Sequence, residues 1–180
     1  RIGSPFVVEA MTQATTRGED GIVGFEANGG FLVQTAFSLD GGVLDPLPTR
    51  DAVLPIVAVL ASSKASGEPV SRLAAALPPR VMKAARLKEI APEAGMDFCD
   101  IMADSFVMRT VFDPILSDIS AIDTTDGTRL TLTDGSIVHF RQSGNAPELR
   151  CYVETDTAEA TDRLLETMMA QLKQHFGRKE

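Results

Sequence analysis

The segment VHFRQSGNAPELRCYVE, Val138 to Glu154, reads as two strands joined by a short polar loop. Val138 and Phe140 on one side, and Leu149, Cys151 and Val153 on the other, alternate with polar residues as in half-buried strands. Between the runs lie Arg141, Ser143, Gly144 and Asn145, with Arg150 beyond Pro147. A tight loop is satisfied by Gly, Asn and Pro. Nothing in turn geometry asks for arginine at both ends, least of all in a chain of net charge -8. A phosphate dianion does ask for this set. Arg141 and Arg150 can each offer a bidentate fork, and Ser143 offers a hydroxyl. Gly144 and Asn145 permit the unusual backbone angles that turn successive N–H groups into an anion nest. A plain hairpin loop with two solvated arginines is the competing reading, and the local chemistry leaves both open.

Outward from this loop the pattern is repetitive. Asp126-Gly127 and Asp134-Gly135 each separate alternating runs, so residues 118–155 predict an antiparallel meander of about four strands. Within it, Asp123 to Gly135 resembles a calcium loop only superficially, since position 12 is Asp134 rather than glutamate and leucines occupy the middle. An amphipathic helix follows, with Asp156 and Glu159 at capping-box spacing. Leu164, Leu165, Met168, Met169, Leu172 and Phe176 form its apolar stripe, and Gly177 its stop.

The first half is organised differently. Ser4-Pro5 predicts a helix start with Ser4 as cap. Ile22–Glu26 and Phe31–Phe37 predict a hairpin turning at Asn28-Gly29-Gly30, and residues 38–50 a polar loop. The run from Asp51 predicts a helix capped by Asp51, apolar nearly all round and therefore well buried. Prolines 78, 79 and 92 bracket the expected domain linker. The stretch Arg80–Ile90 is compatible with strand or helix, and Pro92–Leu116 reads as helix-rich. The sum is an α+β chain.

Composition narrows the function classes. The chain has 180 residues, 44% apolar and 23% charged, enough for a core without disulfides. Two cysteines, Cys99 and Cys151, read as packing residues of a reduced, cytoplasmic protein. No apolar run approaches the roughly 20 residues of a membrane helix, and the acidic balance argues against a nucleic-acid surface. His139 reads as a strand residue that packs or hydrogen-bonds, and His175 as a cation suited to a helix C-terminus. No catalytic residue and no metal-ligand set emerges.

Taken together, the motifs resemble those of the α-D-phosphohexomutases, most of all the bacterial phosphomannomutase/phosphoglucomutase branch. R-Q-S-G-N-A-P-E-L-R-C-Y-V-E resembles the family's phosphate loop, R-x-S-G-T-E-P-x-x-R-x-Y-x-E. G-F-E-A-N-G-G resembles its sugar loop, G-E-x-S-G, and R-I-G-S-P the R-T-x-V-G stretch before it. T-R-D-A-V-L-P sits where the family has D-G-I-x-A-A-L. The resemblance spans essentially the whole chain. It implies a partial α/β domain 3 over residues 1–78, and over residues 79–180 a TBP-like domain 4, a small antiparallel sheet with helices on one face. It places Arg141, Ser143, Gly144, Asn145 and Arg150 at the substrate phosphate. Glu26, Asn28, Gly3 and Ser4 fall at the sugar. Asn145 for Thr, Ala146 for Glu and Asn28 for Ser are departures that blur which sugar is recognised.

The family interconverts hexose 6-phosphate and hexose 1-phosphate through a bisphosphate, using a phosphoserine and Mg2+ held by an aspartate loop. Neither a T-A-S-H-N-P nor a D-G-D-G-D-R motif occurs here. With no initial methionine, the chain is expected to be a C-terminal fragment, inactive alone, binding no metal itself. Its expected partners are a hexose phosphate and, through exposed domain 3 surface, a second copy, which its mass in solution checks. Two other readings are a phosphoglucosamine mutase-type relative and a non-catalytic phosphosugar-binding module.

Overall fold

In the computed structural model, which describes residues 2–26, 29–39 and 41–177, helix α1 (Ser4–Thr16) begins the chain. Its N-cap is Gly3, at φ 137, not Ser4, whose hydroxyl is used elsewhere. Strands β1 (Val23–Phe25) and β2 (Phe31–Val33) form the expected hairpin, Phe25 opposite Phe31. Asn28 of its turn lies outside the described residues. Met11, Ala14, Ile22 and Leu32 make the small core of this first unit, with Val7 and Val8 against it. Gly24 allows that packing, because a Cβ there would stand 2.4 Å from Val7 Cγ1.

The polar stretch after β2 is not a loop. It forms a hairpin of β3 (Phe37–Leu39) and β4 (Gly42–Leu44), and then β5 (Leu47–Asp51), which pairs with β2 in the order β1-β2-β5. These strands are almost wholly exposed, so their sequences carry no alternation of burial to read. The N-cap of α2 (Val53–Ser66) is Ala52 rather than Asp51, but Asp51 just before it still serves the helix start, Oδ1 accepting from the Val53 and Leu54 amides at 2.7 and 3.3 Å. The expectation of deep burial for α2 is corrected. None of its residues is buried; Ile56 is 60% and Leu60 57% exposed. An apolar surface all round does not say what covers it, and α3 (Val70–Ala75) is its principal neighbour.

The second compact unit begins at Pro78. The stretch expected to hold a linker is instead β6 (Val81–Lys88), a strand with alternating exposure. Helices α4 (Pro92–Asp104) and α5 (Phe106–Phe112) and a 3-10 turn follow. Then comes the four-stranded meander: β7 (Ile119–Asp123), β8 (Thr128–Leu132), β9 (Ile137–Gln142) and β10 (Glu148–Thr155). Gly127 and Gly135, at φ 77 and 84, occupy the first two turns. The antiparallel sheet runs β6-β10-β9-β8-β7. Helix α6 (Ala158–His175) lies against β6 and β10, and α4 against β8 and β9.

The helices and sheet enclose one continuous core. Phe98 is at its centre, its ring 5.3 Å from Phe112, 5.1 Å from Phe140, 5.0 Å from His175 and 5.6 Å from Phe176. His175 lies in the last turn of α6, exposed to solvent on one side and with its ring against Phe98 on the other, and partial burial pushes its pKa down. The α6 cap is also one residue away from its expected place. Thr157 Oγ1 accepts from the Ala160 amide at 3.2 Å, worth about 1 kcal/mol. Asp156 instead joins Glu154 around the guanidinium of Arg80.

Phe98 makes no polar contact, so its truncation isolates the packing term. Phe98→Ala is expected to destabilise this unit by about 3–5 kcal/mol, and Phe98→Leu by much less. Urea denaturation followed by circular dichroism reads both.

Candidate functional site

Strand β10 has two faces. Leu149, Cys151, Val153 and Thr155 enter the core, while Arg150, Tyr152 and Glu154 lie on the face away from the helices. The loop between β9 and β10 is closed from both sides. The Ser143 amide donates to Glu148 O at 3.0 Å, and the Glu148 amide to Ala146 O at 2.8 Å. The Ile90 amide donates to Pro147 O at 3.0 Å. Just before it, Glu89 takes φ 58, a costly conformation for a non-glycine residue, as the chain leaves β6.

Gly144 and Asn145 do not use left-handed backbone angles, which corrects the sequence-based expectation. A Cβ on Gly144 would meet nothing within 4 Å. Glycine here keeps the backbone bare rather than making a turn possible. Among the described residues the Gly144 and Ala146 amides have no hydrogen-bond partner. The Asn145 amide reaches only Ser143 Oγ, at 3.4 Å. The Gly144 and Ala146 donors, on either side of Asn145, are thus left for solvent or a ligand.

Both arginines are held in ion pairs. Arg141 Nε donates to Asp126 Oδ2 at 2.6 Å, and its side chain is 14% exposed. Arg150 donates through Nε and Nη2 to Glu148 Oε1 at 3.0 and 2.8 Å. On the other side of Glu148, Arg86 Nη1 reaches Oε2 at 3.3 Å. The hydrogen bonds from Arg150 hold the Glu148 carboxyl below its ordinary range, with the charge of Arg86 adding to the effect. Arg150 is itself raised, chiefly by its contact with Tyr152 and then by Glu148. Tyr152 stacks on His139, with ring centroids 5.4 Å apart. His139 Nε2 lies 2.6 Å from Asp126 O, so it is the hydrogen-bonded strand residue its position suggests.

Sequence reading missed the brace beneath the loop. Gln142 Nε2 donates to Ser143 O at 3.3 Å and to Ala146 O at 3.5 Å, spanning both ends. Its Oε1 is buried without a partner among the described residues. It lies so close to α4 that a Cβ on Gly95 would fall 1.8 Å from it. A glycine inside a helix is the one signal that could have pointed here, since it costs about 1 kcal/mol relative to alanine.

In the first unit, Gly3, Ser4 and Glu26 come together where α1 begins and the β1–β2 turn closes. Ser4 Oγ donates to Glu26 Oε1 at 3.0 Å. The Glu26 amide donates to Gly30 O and the Gly29 amide to Glu26 O, both at 2.9 Å. The Glu26 carboxylate is 9% exposed. Its Oε2 faces Arg50 of β5, another residue missed, at 3.5 Å without a hydrogen bond. The cysteines offer no nucleophile: burial pushes Cys99 up to about 11 and Cys151 up to about 12. Among the described residues no group of three His, Cys, Asp or Glu could hold a metal ion.

The Gln142–Gly95 contact makes a double-mutant cycle informative. Gly95→Ala is expected to cost about 1–3 kcal/mol by overpacking. Adding Gln142→Ala removes the clash and should recover most of that loss, a coupling of about 1–3 kcal/mol in urea denaturation. Additive effects would mean that the two residues do not meet.

Comparison with known proteins gives the same outline. Residues 79–171 match the family profile described as phosphoglucomutase/phosphomannomutase, C-terminal domain. Residues 1–81 match phosphoglucomutase/phosphomannomutase, alpha/beta/alpha domain III. The chain is 39% identical over 172 residues to a phosphomannomutase of Sinorhizobium fredii, covering 96% of this chain and 36% of that protein. It is 37% identical over 181 residues to a phosphomannomutase of Salmonella muenchen, covering 99% and 37%. The chain thus spans about a third of the length of these curated relatives. A crystal structure of a phosphoglucomutase/phosphomannomutase family protein from Burkholderia thailandensis shares the fold, with TM-score 0.58 and 18% identity over 91% of this chain and 30% of that one. With profiles covering both of its units in sequence order, the chain belongs to the phosphoglucomutase/phosphomannomutase family.

Proposed function

We propose that the chain carries the substrate-recognition surfaces of a phosphohexomutase that interconverts hexose 6-phosphate and hexose 1-phosphate through a bisphosphate. The observation that carries this reading is the β9–β10 loop, where unpartnered amides at Gly144 and Ala146 stand between two held arginines. Arg141, Ser143, Gly144, Asn145 and Arg150 bind the phosphate. Glu26, with Ser4 and Gly3, takes sugar hydroxyls, with Oε2, which carries no hydrogen bond among the described residues and has Arg50 at 3.5 Å, as acceptor. Asn28 belongs to the same proposal. The two relatives named phosphomannomutase support mannose phosphates as substrates.

Phosphoryl transfer depends on charge stabilisation and alignment more than on covalent help from the protein. A phosphate grip and a sugar grip on separate units suit a reaction whose intermediate is held in two opposite orientations. The described residues offer no set that fits Mg2+, so no transfer step is assigned to them. In the complete enzyme the ion would supply charge neutralisation at the phosphoryl oxygens. Here the chain binds and orients, and alone it is inactive. Buried free cysteines support a cytoplasmic setting, and no helix among the described residues is long and apolar enough to cross a membrane.

Calorimetric titration with mannose 1-phosphate tests the reading. Arg141→Ala and Ser143→Ala are each expected to weaken binding about tenfold or more, the scale of a lost charge-assisted hydrogen bond. Unchanged affinity in both would overturn it, as would turnover to mannose 6-phosphate by the chain alone.

A further inference from the structure

Three arginines stand in one cross-strand row. Arg86 of β6 is opposite Arg150 of β10, and Arg150 is opposite Arg141 of β9. Adjacent strands lie about 4.8 Å apart, and like charges placed directly opposite destabilise a sheet. Stability alone does not favour such a row. The carboxylates that offset it are Asp126 at Arg141 and Glu148 between Arg150 and Arg86. Two carboxylates among three guanidiniums leave a cation in excess.

That excess is concentrated at one end. Arg141 is 14% exposed and Arg150 36%, each drawn closely onto its carboxylate. Arg86 is 56% exposed and touches Glu148 through Nη1 alone. Arg86 and Arg150 line an open groove with Ala84, Ala85 and Tyr152, where the small alanines leave room above the strand. The groove lies on the face away from the helices, and β10 runs from it directly back to the loop.

We propose that Arg86 is an anion-binding residue that, paired with Arg150 across Glu148, extends the phosphate site from the β9–β10 loop onto the open face of the sheet. The ligand is a phosphomonoester dianion, whose three oxygens can accept from two guanidinium groups at once. This rests on the reading that the loop binds phosphate. Glu148 is then a positioning residue: it pairs with both arginines that line the groove and keeps the row intact when no anion is present.

The test is a nitrogen-15 NMR titration of the chain with inorganic phosphate, and separately with glucose 1-phosphate, each against chloride at matched ionic strength. The Arg86 Nε–H signal and the Gly144 and Asn145 amides are expected to move along one saturation curve. Arg86→Gln should weaken both ligands about five- to tenfold, with Arg86→Lys recovering part of the loss and core amides unmoved. Suppose Arg141→Ala abolishes the loop response while Arg86→Gln leaves the curve unchanged. The proposal is then overturned and the loop reading stands. If the loop amides ignore both ligands in the wild type, the two fall together.

Discussion

From Leu149 to the end of β10 the side chains alternate, Leu149, Cys151 and Val153 inward, Arg150, Tyr152 and Glu154 outward. The strand pairs on both sides, with β6 and β9, so its register is fixed twice. A slip of one residue would carry Arg150 and Tyr152 into the apolar core and expose Leu149 and Cys151. The hydrophobic demand of α4 and α6 on one face therefore sets the position of every polar group on the other. Arg150 meets Glu148, Glu148 meets Arg86, and the Ser143 amide meets Glu148 O because the core requires that register.

Electrostatics refines this arrangement without creating it. Exposed ion pairs such as Arg80 with Asp156 contribute little, about 0–1 kcal/mol. Around the loop the pairs have a different role. Asp126 and Glu148 hold arginines that would otherwise repel across the strands, and each leaves its arginine oriented. Gln142 does the same for the backbone, turning the Ser143 and Ala146 carbonyls toward its amide. The amides of Gly144 and Ala146 are left over once these bonds are made.

Much of this was legible in the residues. The meander and α6 depend on local signals, period-two alternation, Asp-Gly turns and an apolar stripe, and these signals survive in the structure. The loop's two arginines were identifiable because turn geometry did not need them. What stayed hidden depends on partners distant in sequence. Arg86 is 62 residues from Glu148 and gains meaning only when β6 docks beside β10. Gln142 is an ordinary strand residue until Gly95 admits it. Strands β3, β4 and β5 bury almost nothing and so show no pattern, while the apolar character of α2 says nothing of which neighbours cover it. Ser4 had the chemistry of a cap, but Glu26 stands closer to its use.

The central claim is that the β9–β10 loop is shaped before any ligand arrives, with some amides locked and others left available. Residue-resolved amide hydrogen exchange on the ligand-free chain tests it most directly. The Ser143, Glu148 and Ile90 amides should exchange slowly, with protection near that of the β10 strand, while Gly144 and Ala146 exchange fast. Fast exchange at all five positions would contradict it, because the loop would then take its form only when a phosphate is bound.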